Sequence, residues 1–113
     1  DAGGREAGRW EAERSRVEAE RMSIEYRIRS EVTGAYEVLT LRQAALSQEP
    51  PGSAEELVQI AVVAYREGEV GILELLDAAR TASRAQTRSI DLRLDVRLAQ
   101  IALERAVGGT LWP

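Results

Sequence analysis

The stretch Tyr65-Arg66-Glu67-Gly68-Glu69-Val70-Gly71-Ile72-Leu73-Glu74-Leu75-Leu76-Asp77-Ala78 decides the fold, because two helical patterns meet in it. Residues 68–71 are the only place between these patterns where the chain can turn. A glycine directly after a helix can adopt the left-handed conformation that ends it, and Gly68 holds that position. Gly71 is an acceptable N-cap for the next helix. The sequence therefore predicts a sharp helical hairpin whose tip, residues 68–71, is exposed.

The composition favours an all-α protein built from long, coiled-coil-like helices. Aromatic residues make up only 4% of the 113 residues, too few for an ordinary globular core. The apolar residues are mainly Ala, Leu, Val and Ile at helical spacing, a mix typical of long helices. The net charge of −4 argues against a nucleic-acid partner. No apolar run approaches the ~18 residues of a membrane-spanning helix.

The chain divides into three predicted helices. Residues 1–8 are glycine-rich and are expected to be frayed, whereas the periodicity predicts the first helix over about residues 9–47. Since the chain begins with Asp1 and not with Met, we expect it to be a piece of a longer protein. The consecutive prolines Pro50-Pro51, followed by Gly52, break the first arm of the hairpin.

The first arm continues after this break, and the second arm follows the tip at residues 68–71. Ser53 and Glu56 form a capping-box pattern, which predicts a second helix over about 53–67. The third helix is predicted over 72–107, ended by glycines, with a tail at 110–113. Together residues 9–109 form one long antiparallel hairpin.

The last helix carries two apolar stripes offset by about 200°. One consists of Ile90, Leu94, Leu98 and Ile101, and the other of Leu92, Val96, Ala99, Leu103 and Ala106. A helix on the surface of a globule needs one apolar stripe. Two stripes indicate a neighbour on each side, as in the wall of a helical barrel or in the centre of a bundle.

The first arm is longer than the second. Folding about residues 69–70 sets residue i opposite roughly 139 − i, so residues 9–31 project beyond the last helix by roughly 35 Å. This overhang carries Val17, Ile24 and Ile28, which need cover from another segment or another chain.

The residue types exclude most chemistry. His and Cys are absent, so the usual general bases, thiol nucleophiles and soft metal ligands are missing. We therefore expect neither enzyme activity, nor a cofactor, nor a metal site.

Two carboxylates near the tip, Glu74 and Asp77, share a helix face at spacing i,i+3. In the first turn Glu74 complements the helix dipole, and this ordinary role accounts for it well. It accounts less well for Asp77, which lies beyond that turn. If several copies surround an axis, the pair forms acidic rings at an opening, a device for cation selectivity.

Arg80, Arg84 and Arg88 form a ladder of like charges, which is slightly destabilising unless it is compensated. The predicted register places Arg84 opposite Glu55 and Glu56. We expect an ion pair between the helices there, with a solvated charged face as the alternative.

The segments Ala64-Tyr65-Arg66-Glu67-Gly68-Glu69 and Ile72-Leu73-Glu74-Leu75-Leu76-Asp77-Ala78-Ala79-Arg80 resemble the C-terminal repeat of TolC-type outer-membrane efflux factors, in particular the heavy-metal (CzcC- and CusC-like) branch. The ending Ala99-Gln100-Ile101-Ala102-Leu103-Glu104-Arg105-Ala106-Val107-Gly108-Gly109 is similar to the closing helix of that family. The resemblance covers about residues 53–109, and over 9–47 only the helical pattern supports it.

The resemblance implies a homotrimer whose long periplasmic helices close into a tapered α-barrel below an outer-membrane part outside this chain. It implies the periplasm of a Gram-negative bacterium, an adaptor (membrane-fusion) protein and, through it, an inner-membrane pump. This chain would form a passive segment of the tunnel of a tripartite efflux system, and the heavy-metal branch would make metal cations one candidate solute.

The resemblance also assigns roles to residues. Glu74 and Asp77 match acidic positions at the tunnel entrance, and Tyr65 matches a tyrosine that holds this entrance closed. The turn where the adaptor docks corresponds to Gly68, Glu69, Val70, Gly71 and Ile72. Val70 stands where TolC has an arginine latch, so a polar latch is not expected here.

Two other functions remain open on the sequence. One is the helical hairpin of a periplasmic membrane-fusion adaptor, which upstream β-rich sequence would reveal. The other is a soluble helical scaffold or interaction module, in which the carboxylates at 74 and 77 are ordinary surface charges.

Overall fold

A computed structural model describes all residues, 1–113, as an all-helical hairpin. Its helices are α1 (Ala2–Ser47), α2 (Ala54–Arg66) and α3 (Ile72–Val107). α1 and α2 together form one arm, and α3 returns antiparallel along both of them. The molecule measures 102 × 25 × 14 Å, so it is a rod and not a globule. The predicted antiparallel hairpin is confirmed.

The first helix begins earlier than the sequence predicts. Residues 2–8, which we expected to be frayed, belong to α1. The carboxylate of Asp1 accepts a hydrogen bond from the backbone N–H of Gly3 (3.2 Å) and so caps the helix. The glycines alone favour fraying, but adding turns to an existing long helix is far easier than starting a new one.

The break in the first arm lies where the prolines place it. The N–H groups of Gln48 and Glu49 bond back to the carbonyls of Ala45 and Leu46, closing α1 before Pro50. α2 then starts at the predicted N-cap, because the hydroxyl of Ser53 accepts a hydrogen bond from the N–H of Glu56 (3.1 Å). The arm therefore consists of two helices with an irregular joint at residues 48–53.

Two ion pairs between the arms show how the arms are aligned. Arg42 lies 3.7 Å from Asp95, and Glu49 lies 3.0 Å from Arg88. The residue numbers add to 137 in both pairs, two less than predicted, which is a shift of about 3 Å along the helix. These pairs are solvent-accessible, so each contributes under about 1 kcal/mol to stability.

The core of the single chain is small. Only four residues are buried, namely Leu39, Ala82, Ala99 and Leu103. Leu39, Ala99 and Leu103 form one cluster between α1 and α3, against which Val32, Ala35, Val96 and Trp112 pack. Four buried residues among 113 are few for a rod of this length, so the hairpin leaves most of its apolar surface available to neighbours.

The C-terminal tail folds back onto this cluster. Gly108 adopts a left-handed conformation (φ 80°) that ends α3. One carboxylate oxygen of Glu104 then accepts hydrogen bonds from the backbone N–H groups of Leu111 (3.2 Å) and Trp112 (3.1 Å). This arrangement holds the Trp112 ring against the core, an extension of the core that the helical pattern does not predict.

Candidate functional site

The turn at the tip is a compact helix-ending motif. The backbone N–H of Gly68 donates to the carbonyl of Tyr65 (3.1 Å), and that of Glu69 donates to the carbonyl of Ala64 (2.9 Å). These two bonds form a Schellman motif, which requires a left-handed residue after the helix. Gly68 supplies it with φ 74°. The predicted role of Gly68 in ending the helix is confirmed.

The backbone conformation at Gly68 leads to a testable prediction. Gly68→Ala is expected to lower the free energy of unfolding by about 1–2 kcal/mol, because a side chain is strained in the left-handed conformation. Gly34→Ala is the matched control. Gly34 lies inside α1 with open space around it, so the same substitution should stabilise the chain by about 1 kcal/mol. Urea denaturation followed by circular dichroism measures both free energies of unfolding. If the two substitutions changed stability in the same direction, the left-handed conformation assigned to Gly68 would be contradicted.

The other residues of the tip are accessible. Tyr65, in the last turn of α2, is 43% exposed, and Ile72, which opens α3, is 51% exposed. Glu69 and Gly71 are exposed, whereas Val70 is half-buried. The tip thus presents an aromatic and an aliphatic side chain beside acidic groups, while Val70 is partly covered.

Glu74 bends back over the start of α3. Gly71 is the N-cap and offers no side chain to the free N–H groups of the first turn. The Glu74 carboxylate occupies this region, so closely that a Cβ built on Gly71 would lie 2.8 Å from its Oε2 atom. Glu74 is the only acid in the first turn of α3. This geometry supports the dipole role of Glu74.

Asp77 has no such local role. It lies one turn further along α3, is exposed, and has no ion-pair partner within 4.0 Å. Glu74 is also exposed, and the two carboxylates stand on neighbouring parts of one helix face. Together they place two negative charges beside the tip.

The predicted ion pair at Arg84 is wrong. No carboxylate lies within 4.0 Å of Arg84, and Arg88 instead pairs with Glu49. Arg84 is two residues from buried Ala82, or about 200° around the helix, so it points away from α2. Arg84 instead lies on an open groove of α3, lined by Ser83, Arg84, Thr87, Arg88, Asp91 and Leu92.

The two apolar stripes of α3 have different surroundings. The stripe Leu92, Val96, Ala99, Leu103 and Ala106 is buried or half-buried against α1. In the other stripe, Ile90, Leu94 and Leu98 are each more than half exposed, and only Ile101 is partly covered. The hairpin covers one stripe and leaves the second open.

The projecting part of α1 is equally open. With residue numbers of paired positions adding to 137, the end of α3 at Val107 lies level with Ser30. Every residue from 1 to 31 is exposed, including Val17, Ile24 and Ile28. The predicted overhang is therefore present, and its apolar residues have no cover within the chain.

Sequence reasoning missed the contact of Glu104 with the tail. The available signal was an apolar pair, Leu111 and Trp112, shortly after two helix-ending glycines, since an apolar residue after such a glycine often packs back onto its helix.

No helix of the chain has both the length and the apolar character of a membrane-spanning segment. No group of three or more acidic side chains is arranged to hold a metal ion. Comparisons with protein families, with curated proteins and with solved structures find no match to this chain.

Proposed function

We propose that this chain is the periplasmic tunnel segment of an outer-membrane efflux channel subunit. Its hairpin is one stave, meaning one of the parallel hairpins that form the wall of an α-barrel. The barrel conducts solutes, and the hairpin contributes no chemistry of its own. The observation that carries the proposal is the uncovered apolar stripe of α3, since Ile90, Leu94 and Leu98 are each more than half exposed. A stave of a barrel needs such a surface, because it has a neighbour on each flank.

The shape of the chain supports this role. A rod 102 Å long with a single turn at one end fits a tunnel wall better than a compact domain. The overhang of α1 supplies apolar surface for a further helix beyond the end of α3. Neither feature serves a hairpin that works alone in water, because each exposes apolar area.

The charges and exposure of the tip support the proposal that it lies at the tunnel entrance. Glu74 and Asp77 carry two negative charges on one helix face beside an accessible turn. In a trimer, these charges repeat around the axis and attract cations to the opening. Residues 68–72 and Tyr65 are then available to an adaptor protein and to contacts that narrow the entrance, and an inner-membrane pump delivers the solute.

The test is ion selectivity of the complete channel subunit in planar bilayers. Glu74→Gln combined with Asp77→Asn is expected to reduce the ratio of cation to anion permeability by about twofold or more. One charge at ~10 Å in water is worth about 0.4 kcal/mol, which is a factor of about two in local ion concentration.

The matched control keeps the charge and changes only its reach. Glu74→Asp combined with Asp77→Glu should retain the selectivity of the unchanged channel. Equal selectivity in the neutral variant and the unchanged channel would remove the entrance role. A protein that forms no pore at all would instead support a helical scaffold or an adaptor hairpin.

A further inference from the structure

The ladder of arginines on α3 is only partly compensated within the chain. The Nε atom of Arg88 donates a hydrogen bond to the carboxylate of Glu49 (3.0 Å). Neither Arg80 nor Arg84 has a carboxylate within 4.0 Å. Like charges at spacing i,i+4 repel each other, and an anion from outside the chain would offset this repulsion.

Hydroxyl side chains are interleaved with these arginines. All the Ser and Thr residues of α3 fall within residues 81–89, namely Thr81, Ser83, Thr87 and Ser89. A hydroxyl inside a helix can donate to a carbonyl one turn back, as that of Thr40 does to Tyr36 (3.0 Å). The hydroxyls of Ser83 and Thr87 make no hydrogen bond within the chain. They are therefore available to donate to a ligand.

The helix brings these donors together on one surface. The pair Ser83-Arg84 is repeated one turn later as Thr87-Arg88, and residues at spacing i,i+4 are neighbours on a helix face. All four residues line the open groove of α3, which has a volume of about 470 Å³. This volume falls within the range of small-molecule sites and exceeds that of a single phosphate group.

The surroundings of the groove determine where in it an anion can lie. Because its Nε atom is bonded to Glu49, the guanidinium of Arg88 is held in place and keeps its two terminal nitrogens for a ligand. A donor that is already held loses less conformational entropy on binding. Asp91 also lines the groove, one turn beyond Arg88, and its charge repels an anion. An anion is therefore most stable at the Arg84 end.

We propose that this groove is a binding site for a phosphate group. The guanidinium groups of Arg84 and Arg88 and the hydroxyls of Ser83 and Thr87 are its donors. The planar fork of a guanidinium matches two phosphate oxygens, and the remaining oxygens accept from the hydroxyls. A carboxylate has only two oxygens for these four groups. The site is complete within one chain, so it does not depend on the proposed tunnel.

The groove suits a small phosphate compound and not a polyanion. It is open to solvent on the surface of one helix, so the rest of a phosphate ester can remain outside it. The chain as a whole carries a net charge of −4, which repels a nucleic acid everywhere except at the groove. Free phosphate and the phosphate headgroup of a lipid share the chemistry that the groove recognises.

A nuclear magnetic resonance titration of the full chain tests the site. Inorganic phosphate is added at about pH 8, where a phosphate group carries nearly two charges, and chloride at equal ionic strength is the reference. We expect saturable shifts of the backbone amide signals of residues 83–88 at millimolar phosphate, and none with chloride. Glycerol phosphate and vesicles containing phosphatidic acid are titrated in parallel. Equal binding of both free compounds assigns the site to small phosphates, whereas much tighter binding to the vesicles assigns it to a lipid headgroup.

Substitutions in the groove should change phosphate binding without changing the fold. Arg84→Gln is expected to weaken binding by about tenfold or more, because it removes charge-assisted hydrogen bonds from an exposed residue without an ion-pair partner. Thr87→Val keeps the shape of the side chain but removes the hydroxyl, and should weaken binding severalfold. Asp91→Asn should instead tighten binding by about twofold, since it removes one repelling charge. Circular dichroism verifies that each variant is folded.

The same helix offers a matched control. Arg93 and Arg97 are also exposed and also stand at spacing i,i+4, but apolar Leu94 and Val96 lie between them in place of hydroxyl residues. Arg93→Gln should leave phosphate binding unchanged, and the amide signals of residues 93–97 should not shift.

The proposal is overturned if chloride causes the same shifts as phosphate, or if residues 93–97 respond as strongly as residues 83–88. Unchanged binding in Arg84→Gln would overturn it as well. Phosphate binding in the groove, together with an ion selectivity that does not respond to Glu74 and Asp77, would leave this site standing and remove the channel. The reverse result would keep the channel and remove only the phosphate site.

Discussion

Leu39→Ala is expected to lower the free energy of unfolding by about 3 kcal/mol, within the 2–5 kcal/mol of buried leucine truncations. Leu39 is 3% exposed and lies in the cluster with Ala99 and Leu103, the main apolar contact between α1 and α3. Since the chain has only four buried residues, few other contacts compensate for the cavity. Urea denaturation followed by circular dichroism, at concentrations where the chain is a monomer, measures the loss.

Leu41→Ala is the matched control for this prediction. Leu41 belongs to the same helix two residues further on and is 69% exposed. Its truncation should change the stability of the monomer by no more than about 0.5 kcal/mol. If the two substitutions had equal effects, the cluster would not hold the arms together.

The sequence was sufficient to predict the hairpin because its turning points are chemically distinct. Gly68, Pro50 and Ser53 each restrict the backbone or supply a cap, and the ends of α2 and α3 fall within a residue of prediction. The start of α1 at Ala2 does not follow from the local glycine content, because the long helix behind this segment makes its extension easy. A rod-shaped fold depends on a few such residues at its helix ends, so it can be predicted from the sequence.

The surroundings of the side chains were harder to predict. The pairing of Arg84 with Glu55 and Glu56 rested on height along the hairpin alone. An ion pair also requires that both residues face each other, and the residues that face inward are known only once the buried positions, such as Ala82, are known. The packing of Trp112 was missed for a related reason, since it depends on a contact made by Glu104 beyond the helical pattern.

At the tip, too, the backbone conformation follows from the sequence but the side-chain positions do not. The backbone of Gly68 follows from the sequence, because a Schellman turn needs a left-handed residue. The position of the Glu74 carboxylate over Gly71 does not follow, since a free side chain has several rotamers. Whether Glu74 and Asp77 face an aqueous opening depends on the neighbours of the hairpin and stays a prediction.

Ala82→Leu is expected to destabilise the tip half of the hairpin by about 1–3 kcal/mol through overpacking. Ala82 is 2% exposed and is the one buried residue outside the Leu39 cluster. A larger side chain there must push α2 away from α3. α2 contains only 13 residues, none of them buried, and is joined to α1 by the irregular segment at 48–53. α2 is therefore displaced from α3 more easily than α1 is.

Hydrogen exchange resolved along the chain distinguishes this outcome from general unfolding. The amide protons of α2 should exchange faster in Ala82→Leu, while those around Leu39 and Leu103 keep their protection, because local openings differ in free energy along a rod. Ala85→Leu is the control, since Ala85 is exposed on the same helix and Leu is a good helix former. Unchanged exchange in α2 would mean that the tip turn alone, with its glycine at 68, fixes the spacing of the two arms. Faster exchange throughout α1 would mean that the joint at 48–53 transmits strain and that the first arm behaves as a single unit.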